Sequence, residues 1–181
     1  MTSILQKYLE KNFYKTGSLF ANGLVGIGEI LNANPTVKRE AFDLGVWMGS
    51  LFQVVDDILD FRNDGQLDKE SLKDVRDSIY NLSVFSVVAK KMDDSKSASS
   101  FLALYTKKDK SEDEIRYLFE ELSQENVRRH CEAMVAMLAT ECEKSLQRIC
   151  NNLHDKNDDD SRSIFLSEMR KIVEMFHRRQ K

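Results

Sequence analysis

Turn punctuation is nearly absent from this chain. Its 181 residues hold one proline, Pro35, and seven glycines, six of which fall no later than Gly49. β-Hairpins and tight sheet connections need Gly and Pro at defined positions, so the chain is expected to be all-α. A hydrophobic content of 41% with 31% charged residues is ordinary for a helical protein, and the length suits one domain.

The periodicity predicts a first helix from Ser3 to Leu31 with no obvious interruption. Asn34 is expected to cap a second helix that carries Pro35 at its first position and runs to Phe61. A loop over 62–70 and helices over 71–92, 96–106, 111–122 and 124–153 follow, with Ser111-x-x-Glu114 as a capping box. In the long helix Val127, Cys131, Met134, Leu138, Cys142, Leu146 and Ile149 recur at threes and fours, the pattern of a core-facing stripe. Residues 1–154 are thus expected to form the main helical domain. The acidic stretch 155–161 is expected to be a mobile link to an amphipathic helix of the same domain over 162–181.

Residues 53–60 read Gln-Val-Val-Asp-Asp-Ile-Leu-Asp, which sets three carboxylates in an otherwise apolar run. Acidic clusters on helices are usually solvated faces. Here the flanks carry Trp47, Met48, Leu51, Phe52, Ile58 and Phe61, and no charge occurs between Asp43 and Asp56. A carboxylate in such a setting must be paired, hydrogen-bonded or neutralised by a metal. Asp56 and Asp60 share one helix face, with Asp57 at its edge. Hard oxygen donors in one patch suit Mg²⁺, which is usually held by one or two carboxylates plus substrate phosphates.

The run Phe52-Gln53-Val54-Val55-Asp56-Asp57-Ile58-Leu59-Asp60-Phe61 resembles the second aspartate-rich motif of the all-trans isoprenyl (polyprenyl) diphosphate synthases. Tyr8-Leu9-x-x-x-Phe13-x-Lys15-Thr16 resembles the Lys-Thr phrase of the long-chain enzymes that make quinone side chains. The resemblance is clear from Tyr8 to Phe61. It implies the C-terminal part of the isoprenoid synthase helical bundle, with Asp56, Asp57 and Asp60 binding Mg²⁺ that bridges to an allylic diphosphate. Lys15, Thr16 and Gln53 would be the catalytic groups on that diphosphate. Lys69, with Asp74 five residues on, matches a further family position that would bind substrate, although Asp68 stands where the family has Gly.

The family's first aspartate-rich motif and its isopentenyl diphosphate ligands have no counterpart here. The Arg128-Arg129 and Arg178-Arg179 pairs stand in a different context. The chain by itself is therefore expected to hold half a site and not to act alone. A subunit of a split or heteromeric trans-polyprenyl diphosphate synthase is one reading; a catalytically dead structural subunit of a larger assembly is the other. Either requires a protein partner, in a hetero-oligomer or homodimer, to cover an apolar face on the first helices. The nearest-looking relatives suggest a mitochondrial setting and ubiquinone biosynthesis, with the cytoplasm as the alternative, although the N-terminus reads as neither signal nor transit peptide.

Other motifs are excluded or read as structural. Gly23-Leu24-Val25-Gly26-Ile27-Gly28 has the wrong order of glycines for a nucleotide loop, and is read as a surface for close backbone approach, with room for a prenyl tail as the alternative. Cys131, Cys142 and Cys150 form no Cys-x-x-Cys and read as reduced thiols; His130, His154 and His177 form no ligand pattern. A net charge of −3 argues against nucleic acid as a partner, and no apolar run approaches the ~20 residues of a transmembrane span. Arg179 and Lys181 match a family C-terminal pattern, but a basic last turn is also what a helix end prefers.

Overall fold

The computed structural model describes residues 2–59, 69–153 and 159–178. The elements are α1 (Thr2–Asn12), a π-helical segment (Phe13–Gly17), α2 (Ser18–Ile30), α3 (Pro35–Leu59), α4 (Lys69–Arg76), α5 (Leu82–Lys90), α6 (Ser95–Tyr105), α7 (Glu112–Leu122), α8 (Glu125–Asn152) and α9 (Asp159–Arg178). No strand occurs among the described residues, as the missing turn residues predict. No described helix is long and apolar enough to cross a membrane.

Several ends lie where the caps put them. The Val37 amide donates to the Asn34 side chain at 3.0 Å, and the Asn34 amide donates to the Asn152 carbonyl at 2.9 Å. Ser111 and Glu114 form the capping box in both directions. The α8 stripe is buried at Val127, Cys131, Leu138, Cys142, Leu146 and Ile149, while Val135 takes the fully buried place expected of Met134.

Three expectations about the course of the helices change. The first helix is not uniform, because Phe13–Gly17 winds as a π-helix and the Ser18 amide reaches back five residues to the Phe13 carbonyl. Residues 71–92 form two helices. Ser78 adopts a left-handed φ of 57°, the Ile79 amide bonds the Asp74 carbonyl at 2.9 Å, and Ser78 bonds Val75. That pattern is a Schellman ending, which most often uses Gly. Ser78 is held there by donating to the Tyr105 carbonyl at 2.7 Å and accepting from Lys110 at 2.8 Å. Finally, of the expected link, Asp159, Asp160 and Ser161 belong to α9; residues 154–158 lie outside the described ones, as do Arg179 and Lys181.

Packing divides the chain into two units, each discontinuous in sequence: residues 1–8 with 56–133, and residues 9–55 with 134–181. In the first, the aromatic rings of Tyr8, Phe85, Tyr80, Tyr105 and Phe101 follow one another at centroid distances of 5.0, 6.2, 5.8 and 6.0 Å. Val75, Val84, Ile115 and Leu118 are buried in the same unit. In the second, Phe20, Phe52 and Phe176 form a ring cluster, which docks α9 on α2 and α3.

The second unit also contains a close helix approach. A Cβ added to Gly45 would lie 2.3 Å from Ala21 Cα, and one added to Gly49 would lie 2.4 Å from Gly17 Cα. Gly45 and Gly49 are one turn apart, as are Gly17 and Ala21, and the pairs meet in reverse order, so the two stretches run antiparallel with their backbones in contact. The expected close approach at Gly23 and Gly26 does not occur: nothing lies within 4 Å of a Cβ at either.

Candidate functional site

The predicted residues that are described fall on the π-helical segment and on α3. Lys15 and Thr16 sit in the π-helical segment, a winding that recurs at functional sites because it redirects side chains that a regular helix would place elsewhere. Lys15 is exposed and Thr16 half-buried. The Thr16 hydroxyl donates to Gln53 Oε1 at 3.3 Å, and Gln53 is buried on α3. Contact of Gly17 with Gly49 at backbone distance brings Thr16 into reach of Gln53, one helical turn further along α3. These residues belong to the second unit.

Asn12, one residue before the π-helical segment, was not among the residues singled out from sequence. It is buried, yet neither its side-chain oxygen nor its nitrogen has a partner among the described residues. Buried amides are nearly always satisfied, so this one stores an unmet demand for a hydrogen bond. Its only signal in the sequence is its position one turn ahead of Thr16.

Asp56 and Asp57 lie on α3 and belong to the first unit. Asp56 is half-buried; Asp57 is buried, with 4% of its surface exposed. The Tyr8 hydroxyl donates to Asp57 Oδ2 at 2.6 Å, and the backbone N–H of Leu82, the first residue of α5, donates to the same oxygen at 3.0 Å. Tyr8 too was missed as a site residue from the sequence, where it served only to mark the family phrase. Its place one helical turn after Ile4 and Leu5 looks like that of any core aromatic.

The charge of Asp57 is felt nearby. Burial pushes the Tyr105 phenol far above its ordinary range, and the carboxylates of Asp74 and Asp57 add to the effect. Burial likewise raises the Cys131 thiol against the lowering effect of its Ser86 and Ser83 contacts. Lys110 is shifted downward by burial, against the opposing pull of Asp77 and Glu114.

Asp60 and Asp68 lie outside the described residues, and of Lys69 only the backbone, at the start of α4, is described. Among the described residues no three His, Cys, Asp or Glu side chains are grouped to hold a metal. The described part of the aspartate motif supplies two hard carboxylates, Asp56 half-buried and Asp57 buried. That donor chemistry fits Mg²⁺, which needs few protein ligands and keeps its waters.

Known proteins place this geometry in context. Residues 1–122 match the family model described as polyprenyl synthetase. The chain is 40% identical over 73 residues to a prenyl transferase of Cyanophora paradoxa, an alignment covering 40% of this chain and 23% of that protein. It is 37% identical over 73 residues to solanesyl diphosphate synthase 3, chloroplastic/mitochondrial, of Arabidopsis thaliana, covering 40% of this chain and 17% of the relative. Among solved structures it resembles geranylgeranyl pyrophosphate synthase from Lactobacillus brevis with a TM-score of 0.75 at 19% identity, over 96% of this chain and 49% of that one. A decaprenyl diphosphate synthase from Rhodobacter capsulatus gives a TM-score of 0.71 at 20% identity, over 93% and 50%. The chain thus spans about half the length of these solved structures, and its alignments cover less than a quarter of these curated relatives.

Proposed function

Because the chain belongs to the polyprenyl synthetase family, we propose that it acts as a subunit of a split or heteromeric trans-polyprenyl diphosphate synthase. In this reading it supplies the allylic-diphosphate half of the site for condensation with isopentenyl diphosphate. The observation that carries the reading is the half-buried Asp56 beside the buried Asp57 at the end of α3.

Asp56, Asp57 and Asp60 would hold Mg²⁺. Bound there, the ion would neutralise charge on the diphosphate and so favour its departure. The exposed ammonium of Lys15 would meet diphosphate oxygens as a point charge, with Lys69 as a second cation. Thr16 would lend its hydroxyl as a donor, and Gln53, which accepts from it, would fix the direction of that hydroxyl.

The reading needs a second polypeptide segment to position isopentenyl diphosphate, because prenyl transfer depends on holding two reactants in line. Large apolar side chains at Leu19, Ile27, Ile30 and Leu31 stand 54–81% exposed on and just after α2, which supports a covering partner. A mitochondrial setting, with the cytoplasm as the alternative, goes with this reading, and relatives whose names include mitochondrial support it.

A catalytically silent structural subunit is the second reading, favoured by one observation. Asp57 receives two protein hydrogen bonds, so its burial does not by itself require a metal. The test is to purify the chain with its native partners and assay the complex with Mg²⁺, an allylic diphosphate and labelled isopentenyl diphosphate. Elongation that collapses on Asp56→Ala supports the enzyme. A complex without elongation, and without a chain carrying another aspartate-rich motif, makes the protein structural.

A further inference from the structure

Of the two neighbouring aspartates on α3, Asp57 is buried and Asp56 half-buried, and the buried one is held by a residue that the family reading leaves without a role. Tyr8 is 2% exposed, its ring packs on Phe85 with centroids 5.0 Å apart, and its hydroxyl donates to Asp57 at 2.6 Å. The Leu82 amide donates to the same carboxylate oxygen at 3.0 Å. A carboxylate oxygen has two in-plane lone pairs, and on Oδ2 of Asp57 both face protein donors. The Leu82 donor comes from the first turn of α5, whose orphan amides and dipole favour an anion. Asn81, buried beside it, caps the same turn by accepting from Val84 at 3.2 Å.

One carboxylate thus ties α1, the end of α3 and the start of α5 together. Asp56, the next residue along α3, points about 100° further round the helix and is half-buried. How Asp56 is presented depends on the rotation of this part of α3, and the Asp57 contacts bear on that rotation.

We infer that Tyr8 is a positioning residue for the metal-binding turn. Through its hydrogen bond it holds Asp57 as an anchor on the protein, so that Asp56 is presented to the ion. This rests on the Mg²⁺ reading given above and departs from it at one residue: Asp56 meets the ion, Asp57, given there as a ligand, instead orients this part of α3, and Tyr8 orients Asp57. Residues that orient metal ligands from behind commonly change metal affinity by about 10–100-fold when altered.

The test is Mn²⁺ binding to the full chain, followed by loss of the free-ion paramagnetic resonance signal, at a temperature where circular dichroism shows each variant folded. Tyr8→Phe keeps the ring on Phe85 and removes only the donor. It is expected to weaken Mn²⁺ binding about tenfold. Asp57→Asn keeps a carbonyl oxygen for both donors and is expected to lose several-fold less affinity than Asp56→Asn. A folded Tyr8→Phe variant with unchanged Mn²⁺ affinity, while Asp56→Asn loses it, makes Tyr8 structural only and overturns the inference. Equal losses in Asp57→Asn and Asp56→Asn make Asp57 a direct ligand and also overturn it. Failure of the underlying reading looks different: the wild-type chain takes up no Mn²⁺, or Asp56→Asn leaves uptake untouched, and both proposals fall together.

Discussion

Replacing glycine by alanine is the same chemical change everywhere, yet this molecule predicts opposite outcomes at two of its helical glycines. At Gly45 the new methyl would meet Ala21 Cα at 2.3 Å, Ala21 N at 2.4 Å and the Phe20 carbonyl carbon at 2.6 Å. All three are backbone atoms, which cannot swing aside as a side chain does. Ordinary contact begins at 3.4 Å, so α2 and α3 must part by about 1 Å in a packed interior. Overpacking of this kind costs about 3 kcal/mol, at the upper end of its usual range. The gain in helix propensity returns about 1 kcal/mol, leaving a net loss of about 2 kcal/mol. For a chain of this size that is a fall in Tm of about 4–8 °C. At Gly23 nothing lies within 4 Å, so alanine there should stabilise by about 0.4–1 kcal/mol. Urea and thermal unfolding of both variants, followed by far-ultraviolet circular dichroism, decides the matter. If Gly45→Ala proves as stable as Gly23→Ala, the backbone contact between α2 and α3 is wrong.

Two further outcomes follow from shifted ionisations. Glu114 is held below its ordinary value of 4.5 by Lys107 and the Ser111 amide, Glu112 by Arg76, Glu125 by Arg128 and Arg129, and Glu143 by Arg170. Their folded pKa values are depressed, so the stability they contribute is present above pH 4.5 and lost as pH falls through those lowered values. Glu114→Gln should therefore flatten the acid limb of a Tm-against-pH curve, and added salt should do the same. Cys142 is buried and its thiol is pushed up to about 12, so it should resist alkylation of the native chain at neutral pH and react once urea unfolds it; native labelling traced to Cys142 by mass spectrometry would contradict that burial.

Much of the helical framework was readable along the chain because its signals are local. Asn34 with Pro35, and Ser111 with Glu114, mark starts through hydrogen bonds only three residues long. The α8 stripe follows from period alone, apart from the exchange of Met134 for Val135. The break at residues 77–81 was not readable, because its left-handed residue is Ser78 rather than glycine. What stabilises it there, the Tyr105 carbonyl and Lys110, lies about 30 residues away.

The sequence by itself determined that the chain is helical, that three aspartates sit in an apolar run, and that these with Lys15, Thr16 and Gln53 resemble a diphosphate site. Period, punctuation and composition carry that information. Tertiary structure alone decided which glycines are contact points: Gly45 and Gly49 touch another backbone, while Gly23 and Gly26 face open space. It also decided that Lys15 and Thr16 lie on a π-helical turn, that Asn12 is buried without a partner among the described residues, and that Asp57 is bound to Tyr8 and Leu82. The physical reason is common to all of these. Whether a methyl fits, an amide is satisfied or a carboxylate is already engaged depends on atoms brought from elsewhere in the chain, and no local pattern records which atoms those are.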